Sequence, residues 1–528
     1  MPPALTAEVP EYQTYTPTIR WIILIAVMLG AILEVLDVSI VNVALPDMMG
    51  NLGATLDQIS WVSTGYIIAN VIILPLTGWL SGYFGRRKYL AASMILFTGA
   101  SFFCGTSRSL SMLVFFRVLQ GMGGAALIST AQATMMEIFP PAQTGMVTAI
   151  FGLGMMMAPT LGPTLGGWLT DNYSWPWIFF INLPIGAVAI VLTLLFARDS
   201  RSNNRRGYPI DLLGIALLAV GLGCLQTVLE KGNRENWFDS SLICWLSIIA
   251  VLGLTLFVLW ELYTPHPAVN LRILRNRAFT AGAIIQMAVG VGLYGGIFIL
   301  PVFLQSIQHY SAMQTGWILF PGGLATGLMM PIMGRLVSRV QARYLAFIGV
   351  SVFALAMIPF TRITLDTGPS ALFWPWVIRG ASLAFLFVPL TIATLRSLQG
   401  EQLANGTGLF NLARQLGGSV GIAVLATYLN HMTSRQFSVL TESVTRYNPL
   451  TTQRLLQMQQ YFQAKGASLP LAQQRALDLL GMTINRQAAV LAFEHAFMLI
   501  VLVFLAMLPL IFLLRKNDPS ALGRPAAD

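Results

Sequence analysis

Apolar runs of about 20 residues separated by short polar breaks recur along almost the whole chain, from Trp21 to Leu514, and no other feature restricts the fold as strongly. A helix needs about 20 apolar residues to cross a bilayer. Spans are expected near 20–44, 57–80, 88–107, 110–135, 144–169, 177–197, 210–229, 240–262, 279–304, 315–337, 343–361, 372–396, 405–429 and 493–514. Fourteen spans would use about 280 apolar residues, close to what 55% of 528 residues supplies. Charged residues make up only 10% of the chain, against about 25% in soluble proteins. The run from Trp21 to Ala44 is too long for a signal-peptide core and lacks a small-residue cleavage site, so it stays as the first span.

The net charge of +10 follows the membrane layout. With the N-terminus inside, the cytoplasmic segments hold Arg20, Arg86, Arg87, Lys88, Arg198, Arg201, Arg205, Arg206, Arg272, Arg275, Arg277, Arg335, Arg339, Arg343, Arg396, Arg515, Lys516 and Arg524, while the short outer loops hold Arg108, Lys231, Arg234 and Arg362. Cytoplasmic loops of membrane proteins are enriched in Lys and Arg. Both termini are therefore expected in the cytoplasm, and the basic balance reads as topology rather than as a nucleic-acid surface. Cys104, Cys224 and Cys244 sit inside apolar runs with neither disulfide nor metal spacing.

Two distant stretches repeat. LPLTGWLSGYFGRR at 74–87 and MPIMGRLVSRVQAR at 330–343 place Pro75 and Gly78 opposite Pro331 and Gly334, 256 residues on. Arg117 matches Arg379 (262 on), and Phe151 matches Phe410 (259 on). The repeat relates span two to span ten, so it advances by eight spans where two six-span halves would advance by six. Spans seven and eight are then an inserted hairpin. The expected units are 1–197, a linker with the hairpin over 198–278, a second bundle over 279–515 with an outer segment at 430–492, and a tail at 516–528. Parallel halves with a site between them near the midplane are a transporter architecture.

Ionisable groups inside spans are costly and mark function, which singles out Glu34, Asp37, Arg117, Arg379 and Arg414. Asp37 and Arg117 each lie seven or eight residues from the outer end of their span, roughly 10 to 12 Å deep, within reach of pairing. Glu34 lies one turn deeper on a similar face. Burial favours a protonated carboxyl and a nearby guanidinium favours the ionised form, so such a group can take a proton on one side and release it on the other. The alternative is a pair that only fixes helix packing. Arg379 and Arg414 are open between a structural and a site role. Asn42, Gln120, Phe151, Phe410 and Asn411 complete the candidate cavity set.

Span five, GLGMMMAPTLGPTLGG, spaces Gly154, Ala158, Gly162 and Gly166 by four and carries Pro159 and Pro163. Small residues at this spacing let helix backbones approach closely, and proline kinks a helix. The stripe reads either as a packing seam or as a seal between halves. Gly78, Gly85 and Arg86 at the inner end of span two read as a tight turn and basic anchor, or as a conformational latch. GxxxxGK[ST] is absent, which excludes an ATP-driven pump of that kind; GxSxG occurs once, as GGSVG at 417–421 inside an apolar span and not at a strand-to-helix elbow, and HExxH is absent. The Gln-rich segment 430–492 has a locally helical pattern and is too small for an enzyme domain. It reads as a docking surface or a solvated loop.

LDVSIVNVALP at 36–46, GWLSGYFGRRK at 78–88, RVLQGMGGAA at 117–126, GMMMAPTLGPTLGG at 154–167 and WPWIFFINLPIG at 175–186 resemble, in order, the span-one, loop 2–3, span-four, span-five and span-six motifs of the fourteen-span drug:proton antiporters of the major facilitator superfamily. The outer segment with TESVTRYNP at 441–449 is similar to the EmrB-like branch. The resemblance implies an all-α membrane fold of two six-helix bundles plus a hairpin, and export of amphiphilic or hydrophobic compounds powered by the proton gradient without a cofactor. It also implies a bacterial inner-membrane location with a membrane-fusion adaptor and an outer-membrane channel as partners. Gly82 stands where the loop motif has an acidic residue, and Pro176 where an Arg is common. A dedicated exporter of one metabolite, such as a siderophore or fatty acid, is the nearest alternative. A non-transporting receptor or a membrane enzyme would need modules or ligand clusters that are not visible.

Overall fold

A computed structural model describes residues 13–198, 210–396, 398, 400–445 and 447–514. The linker bases Arg201, Arg205 and Arg206, Arg446 of the TESVTRYNP run, and the tail 516–528 with Arg515 lie outside the described residues.

The described residues form long helices that begin and end where the sequence supplies caps and breakers. They are α1 Pro17–Leu52, α2 Asp57–Phe84, α3 Arg86–Gly105, α4 Leu110–Ile138, α5 Thr144–Asn172, α6 Trp177–Phe196, α7 Leu212–Lys231 and α8 Ser241–Tyr263, followed by α9 Arg277–Ile307, α10 Ala312–Leu336, α11 Ala342–Arg362, α12 Pro369–Leu395, α13 Gly400–Glu442, α14 Pro449–Ala464 and α15 Leu469–Ile511. Gly53 ends α1 in the left-handed region, its N–H returning to Met49 O. Ser109 caps α4 through Met112 N, and Ser311 with Gln314 forms a capping box on α10. Gly85, at φ 87°, turns α2 into α3. Thirteen of these helices are long and apolar enough to cross a membrane, and α5, bent by 43° around Pro159 and Leu161, makes fourteen.

Helices α1–α6 pack on one another, as do α9–α13 with α15. The two sets meet mainly along α5 and α10, and where α13 lies on the Leu74–Phe84 part of α2. A β-carbon on Gly334 would fall 2.8 Å from Ala149 Cβ and 2.9 Å from Gly145 O, and one on Gly78 would fall 2.7 Å from Asn405 Cα. Arg86 and Arg87 adjoin α2 at this face, Arg335 and Arg339 lie at the end of α10 and Arg396 precedes α13, so these contacts shut the basic face. The glycine stripe of α5 turns elsewhere: β-carbons on Gly154, Gly162 and Gly166 would fall 2.8 Å from Ile32, 1.9 Å from Ser39 Oγ and 2.7 Å from Ile40. It is a seam with α1, inside the first set, while a different face of α5 meets α10.

The outer half of α2, Trp61–Ile73, packs on α4 and on α7 of the inserted hairpin. α7 also reaches α13, where Gln226 Nε2 donates to Ser419 Oγ at 2.8 Å. The hairpin thus touches both sets, and α8 lies outside α7 with Trp245 and Val251 exposed. α13 and α15 are each 43 residues long, about 64 Å at 1.5 Å per residue, twice the ~30 Å of hydrocarbon they must cross. The segment 430–492, expected to be locally helical, is largely so: it holds the continuations of the spanning helices α13 and α15, with α14 packed against α15. These extensions project from the face opposite the basic one.

Candidate functional site

Asp37 and Arg117 lie on facing turns of α1 and α4, and both are fully buried. Arg117 Nη1 donates to Asp37 Oδ2 and, at 2.9 Å, to Gln120 Oε1; its Nε donates to Val62 O at 3.0 Å. Asp37 Oδ1 accepts from Gln120 Nε2 at 2.8 Å and from Asn182 Nδ2 at 3.1 Å. Ser101 Oγ bridges Asn182 (2.9 Å) and Gln120 (3.3 Å) and donates to Phe179 O. The guanidinium carbon lies 4.2 Å from the centre of the Tyr66 ring. Side chains from α4 and α6 thus bond the α1 carboxylate directly, and Ser101 of α3 and the Val62 carbonyl of α2 hold those partners in place. A buried charge is tolerable when paired and hydrogen-bonded in this way.

Glu34, one turn away, is held differently. Asn70 Nδ2 donates to its Oε1 at 2.9 Å, while Oε2 is buried without a hydrogen-bond partner. Tyr66 and Asn70, four apart on α2, thus face the Asp37 and Glu34 ends of the same site. Arg414 of α13 acts on Glu34 electrostatically from the second set of helices, and its Nε has no partner. One turn earlier, Asn411 Nδ2 donates to Gln132 Oε1 at 2.7 Å and to Ser129 Oγ at 3.4 Å, tying α13 to α4.

The remaining candidates are dispersed. Gln120 belongs to the Asp37 network. Asn42 is exposed and accepts from Ser63 Oγ at 3.1 Å. Phe151 and Phe410 are fully buried, Phe151 in the apolar cluster that contains Met330 and Phe387 of the second set. Among the described residues Arg379 meets no carboxylate: its Nη2 donates to Gly292 O (3.2 Å) and Leu293 O (3.3 Å), and its guanidinium stacks 4.1 Å from Trp376. The repeat explains this. Advancing Asp37 by the 259-residue offset reaches Gly296, where a β-carbon would fall 3.0 Å from Arg379 Cζ. The second set keeps the arginine and lacks the acid.

At the basic face Arg86 is not a solvated anchor. It is 6% exposed and pairs with Glu137 of α4, with Nη2 to Oε1 at 2.9 Å. Gly85 supplies the turn before it, Gly78 the contact with Asn405, and Pro159 and Pro163 flank the bend of α5. Sequence reasoning passed over Asn70, Ser101, Glu137 and Asn182. The lone amides Asn70 and Asn182, each inside an apolar run, were the available signal. Among the described residues no group of three His, Cys, Asp or Glu side chains is placed to hold a metal ion.

Residues 27–422 match the description of the Major Facilitator Superfamily. The chain is 37% identical over 496 residues to the multidrug export protein EmrB of Escherichia coli K12, covering 93% of this chain and 94% of that one. It is 32% identical over 506 residues to the fatty acid resistance protein FarB of Neisseria gonorrhoeae, covering 96% and 98%. Its fold is similar to that of the human organic anion transporter MFSD10, at a TM-score of 0.59 and 14% identity over 93% of this chain and all of that one. With a matching family description over most of its length and relatives aligned nearly end to end, this multi-pass membrane protein belongs to the major facilitator superfamily, in the family of the EmrB multidrug export proteins.

Proposed function

We propose that the protein is a proton-coupled antiporter that exports hydrophobic and amphiphilic drugs across the bacterial inner membrane by alternating access of two six-helix units. The observation that carries this reading is the contrast between two buried carboxyls one turn apart: Asp37 with three donors, and Glu34 with one oxygen unbonded. Glu34 takes the proton. Neutralising it removes its attraction to Arg414 across the two helix sets, an interaction strengthened by low dielectric, and so loosens one arrangement of the halves. Asp37 and Arg117 transmit the change, because four helices converge on them. Phe151, Phe410 and Asn411 are assigned to the path between the halves, and Gly78, Gly85, Arg86 and the bent α5 to its closure.

The Arg-rich turns support a cytoplasmic basic face, with both termini on that side. The projection of α13–α15 then lies in the periplasm and meets a membrane-fusion adaptor that leads to an outer-membrane channel. Exposed Tyr447 and Leu450 on that projection support a docking role. The relationship to FarB keeps fatty acid export as the second reading.

In proteoliposomes with an imposed pH gradient, Asp37→Asn and Glu34→Gln are each expected to abolish gradient-driven dye export. Detergent-solubilised parent protein should release protons when substrate is added, and Glu34→Gln should not. Intact gradient-driven export in both variants would overturn the assignment. A competition panel of drugs against long-chain fatty acids separates the two substrate readings.

A further inference from the structure

Between α2 and α4, on the lipid-facing side, runs an apolar groove of about 330 Å3 lined chiefly by Trp61, Gly65, Ala69, Ile73, Val118 and Met122. From Trp61 to Ile73 it descends twelve residues, about 18 Å, close to the ~15 Å of one leaflet's hydrocarbon. Its upper end lies at the projecting face, where Trp61 is partly exposed, as tryptophans at head-group level are. The ammonium of Lys231, from the end of α7, lies 4.0 Å from the centre of the Trp61 ring, and Arg234 sits 3.6 Å from Asp57, one turn above Trp61. With Arg234 paired to Asp57, Lys231 is the cation this mouth offers, and an apolar slot one leaflet deep with a lysine at its mouth matches a molecule with a long hydrocarbon chain and a phosphate at one end.

We propose that this groove is a specific phospholipid site, with an acyl chain along α2 and α4 and the head-group phosphate on Lys231. The site has a structural consequence. Trp61 precedes Val62, whose carbonyl accepts from Arg117, and Val118 follows Arg117, so a chain in the groove braces the helix pair that carries the buried arginine. The head group joins that pair to the inserted hairpin, which supplies the lysine.

The test is native mass spectrometry of the full chain titrated with dioleoyl phosphatidylglycerol and, separately, with dioleoylglycerol, which has the chains and no phosphate. One phospholipid is expected to be retained more tightly than the diacylglycerol. Lys231→Gln should weaken its retention about fivefold, as for loss of one basic contact at a membrane surface, and should leave diacylglycerol retention unchanged. Met122→Trp, which fills the lower groove from a partly exposed position, should weaken both. Lys465→Gln removes a second lysine that lies over an aromatic ring, 4.6 Å from Tyr461 on the projection, and should change neither. The proposal is overturned if Lys231→Gln and Met122→Trp keep the parental retention, if diacylglycerol is held as tightly as the phospholipid, or if Lys465→Gln matches Lys231→Gln.

Discussion

Asp37 and Glu34 sit three residues apart on one helix, yet their substitution should differ in its effect on stability. Asp37→Asn leaves Arg117 buried with no counter-charge, and removing one partner of a buried pair costs about 3–5 kcal/mol. The expected result is a clear fall in melting temperature in detergent, partly restored in Asp37→Asn/Arg117→Gln, where neither charge remains. Glu34→Gln keeps the shape and an oxygen that accepts from Asn70, so it should melt near the parent while losing proton release. Melting of Glu34→Gln as low as Asp37→Asn would show that Glu34 also serves as a fixed structural charge. The pairing of Asp37 with Arg117 was legible in the sequence because both are ionisable and their depth follows from counting residues to the span ends. The supporting amides were not. Asn182 is 145 residues from Asp37 and Asn70 is 36 from Glu34, and a neutral amide in an apolar run gains its partner only once the helices are packed.

At the scale of elements, hydropathy located nearly every span, because the membrane imposes a length on each. It failed where that constraint ends: beyond the bilayer α13 and α15 continue as helices with no apolar run to mark them. Nor could repeat arithmetic, which identified α7 and α8 as an insertion, say where the insertion packs. In the fold the hairpin's connecting loop clasps both sets of helices. Trp237 Nε1 donates to Thr427 Oγ1 on α13 at 2.8 Å, Asn430 donates to Asn233 at 3.1 Å, and Lys231 and Arg234 reach the end of α2. Asn236 and Trp237 both hold positive φ, 52° and 54°, a conformation that side chains other than glycine adopt at a cost. Thr427→Val should remove about 1 kcal/mol of that restraint. Hydrogen exchange is expected to accelerate at residues 231–240 with α13 unchanged; equal acceleration along α13 would mean that the hairpin stabilises the helix rather than clasping it.

The whole molecule is closed on its basic face by contacts that tolerate no added side-chain volume. Gly145 and Gly334 bring α5 and α10 into backbone contact, and Gly78 does the same for α2 and α13. Toward the projecting face the outer half of α2 turns to α4 and α7 instead of α13, so the two seams between the halves are unequal. A side chain at Gly334 would strain this arrangement and not one in which the basic ends of α5 and α10 have parted. Overpacking of such a contact costs roughly 1–3 kcal/mol, which corresponds to a shift of about 5- to 150-fold in the balance of two states. Gly334→Leu is therefore expected to favour the form open at the basic face. Spin labels at Gln143→Cys and Arg339→Cys, both exposed beside the seam, should report a longer distance in that background than in the parent. Gly481→Leu, on the projection where a β-carbon meets nothing within 4 Å, should leave the distance unchanged. Export should fall in Gly334→Leu because the closed state becomes costly, while substrate binding from the basic side should be retained. An unchanged label distance with lost export would mean that the glycine contact serves stability alone and that closure is controlled elsewhere, with α2 and α13 at Gly78 and Asn405 the next seam to test.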